Sequence, residues 1–244
     1  MWSGMTIQAN DKTHGRPLPR TKRRSHSSER LVFIDLETAG QQSWRPITQV
    51  GAVVADSAGQ ILETFEAKLQ FRESQATKRA LLRRHYDRNL WNREALPSRD
   101  VIFKFRDFLL RHATLSGENT RGQAFWLARI VAHNAAFDGP FLCKWFDEHG
   151  LYFPADYRIF CTLQRAFWLF QEYPRIRPPT DFKLKTLCDY FGIWFPASEA
   201  HDALADARAT FELYHCLNHV EMMQSGRRVC ELNGVPARRP VDNF

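Results

Sequence analysis

The chain of 244 residues carries a net charge of +7, is 44% apolar and holds 19 Phe and 7 Trp, which suits one good-sized α/β domain with tails or two small ones. No run of about 18 uninterrupted apolar residues occurs and polar residues follow Met5 almost at once, so neither a membrane span nor a secretory leader is expected. Five cysteines, odd in number and without a CxxC pair, argue against a zinc site and for a reduced, cytoplasmic setting.

The charge sits at the ends. Residues 1–30 hold seven lysines and arginines against Asp11 and Glu29, and residues 225–244 hold four arginines against Glu231 and Asp242, which leaves the middle neutral. Residues 1–30 lack periodicity and contain Pro17 and Pro19, so they read as a disordered basic tail; 223–244 reads as a second basic tail flanking a domain at 31–222. Such tails either help to hold a polyanion or are simply solvated ends.

Leu31 to Leu36 is a short run of strand formers, broken at Thr38-Ala39-Gly40. Ile47 to Asp56 and Ile61 to Leu69 follow as strands joined by a hairpin turn at Ser57-Ala58-Gly59-Gln60. From Gln75 to His112 the pattern is helical, broken near Leu96-Pro97-Ser98, with Ser98 expected as the N-cap of the second piece. Residues 114–124 read as a surface loop and Leu127 to Ala132 as one strand. A helix carrying Phe141, Leu142, Trp145 and Phe146 should end at Gly150, and further helices are expected over 162–171, 183–191 and 202–222. This order favours one mixed sheet flanked by helices.

Four acids and a histidine stand out against this background. Side chains alternate along a strand, so Asp35 and Glu37 share a face while Ile34 and Leu36 turn into packing. Two carboxylates at the end of a buried strand repel each other unless a cation neutralises them, and oxygen ligands without nearby thiols favour Mg²⁺ or Mn²⁺. Asp138 falls in the first turn of a helix, where it either caps the helix or joins the acids; His133 and Asn134 end the preceding strand and either fix backbone or touch substrate. Phe137 belongs to the core or to a substrate wall. His201 lies just before a helix that carries Asp206, while the rival Asp202 reads as a helix-start residue.

Together these residues resemble the DEDD exonucleases, in the branch whose third motif carries histidine. The first motif, D-x-E-T, is matched by Asp35-Leu36-Glu37-Thr38; the second, H-N-x-x-F-D, by His133-Asn134 and Phe137-Asp138; the third, H-x-x-x-x-D, by His201 and Asp206. The similarity covers about residues 31 to 220 and implies an RNase H-like fold with a central mixed sheet of about five strands. It also implies 3′→5′ removal of nucleoside monophosphates from single-stranded DNA or RNA ends with two Mg²⁺ or Mn²⁺ ions. Asp35, Glu37, Asp138 and Asp206 would be the ligands and His201 the base. Thr38, His133, Asn134, Phe137 and Trp44 are expected around the substrate, with Trp44 either stacked on a base or packed. DNA, as in proofreading or repair with a partner protein, is slightly favoured over ribonuclease T-like RNA trimming. A binding module without turnover is the alternative outside enzymes, and five intact motif positions count against it. The segment after the third strand departs from relatives: in place of His-Gly-Ile it carries Arg79, Arg83, Arg84, His85, Arg88 and Arg93, which grip phosphates or form a solvated face.

Overall fold

The computed structural model describes residues 29–83, 86–118, 122–196 and 201–232. Strand β1 (Arg30–Thr38) is the middle of a five-stranded sheet. β2 (Ile47–Asp56) pairs with it antiparallel, and β3 (Ile61–Lys68) pairs antiparallel with β2. On the other side β6 (Arg129–Ala132) runs parallel to β1, and the two-residue β7 (Phe160–Cys161) runs parallel to β6. The expected hairpin joins β2 to β3: the Asp56 carboxylate accepts from the Ala58 and Gln60 N–H groups, and Gly59 supplies a φ of +80°.

Alternation along β1 sorts the helices into two layers. Val32, Ile34 and Leu36 enter a core with α3 (Ser98–Arg111) and α4 (Ala135–Glu148), built on Phe105, Phe108, Trp145 and Phe146. Burying each of these large rings contributes roughly 2–3 kcal/mol. Phe33 faces the opposite way, edge-on to Phe211 and Tyr214 of α7 (Ala203–Leu232). Helices α5 (Thr162–Glu172) and α6 (Leu184–Phe191) pack beside α7 through Leu169, Phe170, Leu187, Leu213 and Leu217. Two short helices, α1 (Lys78–Arg83) and α2 (Arg88–Glu94), lead from β3 to α3.

Four local expectations are corrected. Residues 114–124 are not a plain loop: β4 (Leu115–Glu118) and β5 (Ala124–Leu127) form a separate antiparallel pair, and the Phe125 ring occupies the space that a Cβ on Gly117 would need. Leu127 to Ala132 is not one strand, because the Ala128 backbone turns to bond Pro154 and Asp156. Ser98 is the first residue of α3 rather than its N-cap; Pro97 holds that position, and the Ser98 hydroxyl accepts from the Trp145 indole at 2.8 Å, tying α3 to α4. The last helix runs to Leu232, ten residues past the expected end. Most of the expected N-terminal tail (residues 1–28), Arg84 and His85, and residues 233–244 lie outside the described residues.

Candidate active site

Pairing of β1 with β6 stops at Ile34 and Ala132, while β1 continues to Thr38. The chain after β6 turns away at Asn134, in a left-handed conformation (φ 68°), and enters α4. A cleft of about 420 Å³ opens at this point, outside the carboxyl ends of the parallel strands, where open α/β sheets commonly bind ligands. Asp35 and Glu37 reach it from β1, Asp138 from the first turn of α4, and His201 and Asp206 from the start of α7.

Close approach of α7 has a specific cause. Asp35 stands opposite Gly51 in the β1–β2 register, and a Cβ on Gly51 would lie 2.2 Å from the Ala203 carbonyl carbon. Only glycine lets the first turn of α7 rest on the sheet beside Asp35. Asp202 caps that turn, its carboxylate accepting from the Leu204 and Ala205 N–H groups, and the buried Gln49 side chain donates to its other oxygen at 2.8 Å. Asp202 is thus spent on the helix. His201, just before it, has a φ of 70°; together with Asn134 it makes two non-glycine residues in left-handed backbone at one cleft, where such strain commonly marks function.

The carboxylates are crowded: Asp138 is buried, and Asp35, Glu37 and Asp206 are partly so. Burial, then the charge of Asp206, Asp138 and Glu37, push the Asp35 carboxyl well above its usual range. Burial first, with Glu37 and other acids behind it, raises Asp138 and Asp206 to about 8, against hydrogen bonds from the Leu36 backbone to Asp138 and from the His201 backbone to Asp206. Asp206 Oδ1 is buried with no hydrogen-bond partner among the described residues. His201 Nδ1 lies 3.7 Å from Glu37 Oε1, and ligand atoms of Glu37, His201 and Asp206 fall within 4.8 Å of one another. An orphaned carboxylate oxygen among like charges fits a hard divalent cation of the Mg²⁺ or Mn²⁺ type, which would neutralise what the protein leaves uncompensated.

The other expected residues divide. His133, Asn134, Phe137 and Thr38 line the cleft. Thr38 is buried and its hydroxyl donates to the Gly40 carbonyl at 2.7 Å, closing the turn after the acids. His133 lies between Thr162 Oγ1 at 2.9 Å and the Phe182 carbonyl at 3.0 Å, and burial lowers its pKa to about 4, so it stands neutral. Phe137 packs against Phe141 at 4.9 Å between ring centroids while still reaching the cleft. Trp44 is 69% exposed, so it is not packed, and it stands outside the cleft lining, which its neighbours Gln41 and Gln42 join. Of the basic segment, Arg79 lines the cleft, whereas Arg88 is paired with Glu73. Sequence reasoning missed the roles of Gly51 and Gln49, since each is set by contact with residues about 150 positions away.

Known proteins agree with this architecture. E. coli exonuclease I in a complex with single-stranded DNA superposes with a TM-score of 0.62 at 17% identity, over 82% of this chain and 43% of that one. Exonuclease I from Methylocaldum szegediense gives 0.61 at 16% identity, over 82% and 43%. The chain thus spans less than half the length of these proteins, and the likeness shows a shared RNase H-like fold. No curated protein matches the sequence. The profile of the 3′-5′ exoribonuclease Rv2179c-like domain matches residues 30–217, which takes in the whole sheet and all five cleft residues named above. The chain belongs to that family of 3′→5′ exonucleases.

Proposed function

We propose that the chain trims single-stranded RNA from its 3′ end, releasing nucleoside 5′-monophosphates by two-metal-ion hydrolysis within a catalytic unit at 31–222. The observation that carries the reading is the convergence of Asp35, Glu37, Asp138, Asp206 and His201 on one cleft, with an unpartnered carboxylate oxygen among them. Membership of an exoribonuclease family moves the weight to RNA from the slight lean to DNA drawn from sequence. The DNA reading, with a replication or repair protein as partner, draws support from the fold shared with an exonuclease I bound to single-stranded DNA. The neutral core and well-spaced cysteines fit a cytoplasmic enzyme.

Two Mg²⁺ or Mn²⁺ ions, when held by Asp35, Glu37, Asp138 and Asp206, supply positive charge for the phosphate and make water more acidic. His201, half-exposed on the connection into α7, takes a proton from the attacking water as its oxygen bonds to phosphorus. The bond to the 3′ oxygen breaks, and that oxygen stays with the shortened strand. Asn134 and Phe137 wall the terminal nucleotide, while Thr38 and neutral His133 hold the backbone around it.

The test is digestion of matched RNA and DNA strands labelled at the 5′ end, with Mg²⁺ or Mn²⁺ and an Asp35→Ala control. Stepwise shortening that needs metal and Asp35, faster on RNA, is expected; faster loss of DNA would select the second reading, and no shortening of either would reject both. His201→Ala should lower kcat by roughly 10²–10⁴-fold and remove the acid limb of the pH–rate profile, with metal still bound. An unchanged profile would end its assignment as base.

A further inference from the structure

A cleft floored by carboxylates must admit a polyanion, so some group has to offset the repulsion at its mouth. Among the described residues lining the cleft, Arg79 is the sole lysine or arginine. It is exposed on α1 and borders the same cleft as the acids of β1 and α4. The helix that carries it is fastened to the first motif: Thr77 donates its N–H to the Ala39 carbonyl at 2.8 Å, and its hydroxyl accepts from the Ala80 N–H at 3.1 Å. The backbone that carries Arg79 is therefore tied to the turn that follows Asp35 and Glu37.

Neighbouring arginines are committed elsewhere. Arg45 bonds the Gln42 side chain and the Gln75 carbonyl, and Arg88 grips Glu73 through both carboxylate oxygens. The Arg79 side chain makes no hydrogen bond or ion pair with any described residue. A free guanidinium is a planar fork that matches a phosphate in two parallel bonds, and it keeps its charge at any working pH.

We infer that Arg79 clamps the phosphate one nucleotide to the 5′ side of the scissile bond, so that the site demands a strand rather than a single-nucleotide ester. The inference rests on the proposed phosphodiester hydrolysis. The scissile phosphate belongs over the partly to fully buried acids of the cleft; the exposed position of Arg79 suits the next phosphate along the chain. Such a contact reads no base, so it strengthens binding equally across sequences and weakens with salt.

The experiment compares a 5′-labelled oligoribonucleotide with the 4-nitrophenyl ester of uridine 5′-monophosphate, which has no upstream phosphate. In Arg79→Ala the ratio of kcat/KM for the oligonucleotide to that for the ester should fall roughly tenfold, with the loss in KM. The plot of log kcat/KM against log salt should become shallower by about one, and Arg79→Lys should recover part of the ratio. A ratio that stays within twofold, or an equal loss on both substrates through kcat, would overturn the clamp alone. A parent protein that cuts neither substrate with Mg²⁺ or Mn²⁺ would overturn the clamp and the hydrolase reading together.

Discussion

Two cavities lie along one face of β1, and they differ in kind. Leu31, Phe33, Asp35 and Glu37 alternate onto the face that α7 covers. Leu31 and Phe33 border a cavity of about 890 Å³, and Asp35 and Glu37 border the cleft of about 420 Å³. In the larger cavity the charges are matched: Arg165 holds Glu221 and lies 5.1 Å from the Tyr214 ring centroid, and Arg129 holds Glu29. In the smaller one four acids face each other, and the one lysine or arginine among its described lining residues, Arg79, pairs with none of them. Volume does not locate the chemistry; uncompensated like charge does.

The largest effect should come from emptying the acidic end. Asp35→Ala should cut exonuclease activity by roughly 10³-fold or more, because it removes the carboxylate proposed to hold metal at the phosphate. Calorimetric titration with Mn²⁺ should lose its heat in the same variant. Activity retained within tenfold would show that the acids are not the working part of the molecule. Gly51→Ala comes next. Its Cβ would meet the Ala203 backbone, which cannot swing aside as a side chain can. The start of α7 should lift off the sheet and carry Asp206 and His201 with it, lowering kcat by roughly 10²-fold while the protein still folds. Parent-like kcat would mean that the close approach of α7 does not set the site.

How far the sequence revealed the site follows from the range of each signal. Asp35 and Glu37 were legible because strand alternation is local, and Asp202 because helix capping is local; the capping hydrogen bonds bear that out. The five-stranded mixed sheet followed from the order of the elements and is present. Gly51 showed only as one residue of a strand, since its role depends on where residue 203 comes to lie. The β4–β5 hairpin was hidden for a related reason: Gly117 reads as a breaker until Phe125 is known to cover it. Of the two roles expected for Trp44 the packed one is removed by its exposure, because a lone aromatic near a motif says nothing of the direction in which its loop points it.

Proton linkage offers a sharper measure of the contrast. Without metal, Asp138 and Asp206 titrate near 8, far above the roughly 3.9 of an unfolded aspartate. The folded state then holds more protons than the unfolded one between those limits. Stability is therefore greatest at the acid end of this range and is lost as pH rises through about 8. Metal takes the place of the protons, so the gain in Tm from Mg²⁺ or Mn²⁺ over chelator should be larger at about pH 8.5 than at pH 6. Asp35→Asn should raise the Tm of the metal-free protein at the higher pH, since it relieves crowding of like charge. A metal-induced shift of equal size at both pH values would sink this account.

The paired end should respond in the opposite sense and by the least. Arg165 lies partly buried on α5, where its guanidinium meets Glu221 of α7 and its stem covers apolar surface. Both partners keep some water contact, with side chains 26% and 36% exposed, so the pair is worth only about 1 kcal/mol. Arg165→Ala should lower Tm by about 2–4 °C and leave exonuclease activity within twofold of the parent. Stability falls there because a matched charge is broken, whereas Asp35→Asn stabilises because an unmatched one is removed. A tenfold loss of activity in Arg165→Ala, with Tm unchanged, would mean that the larger cavity handles substrate. Matched charge would then no longer mark the structural end of the β1 face.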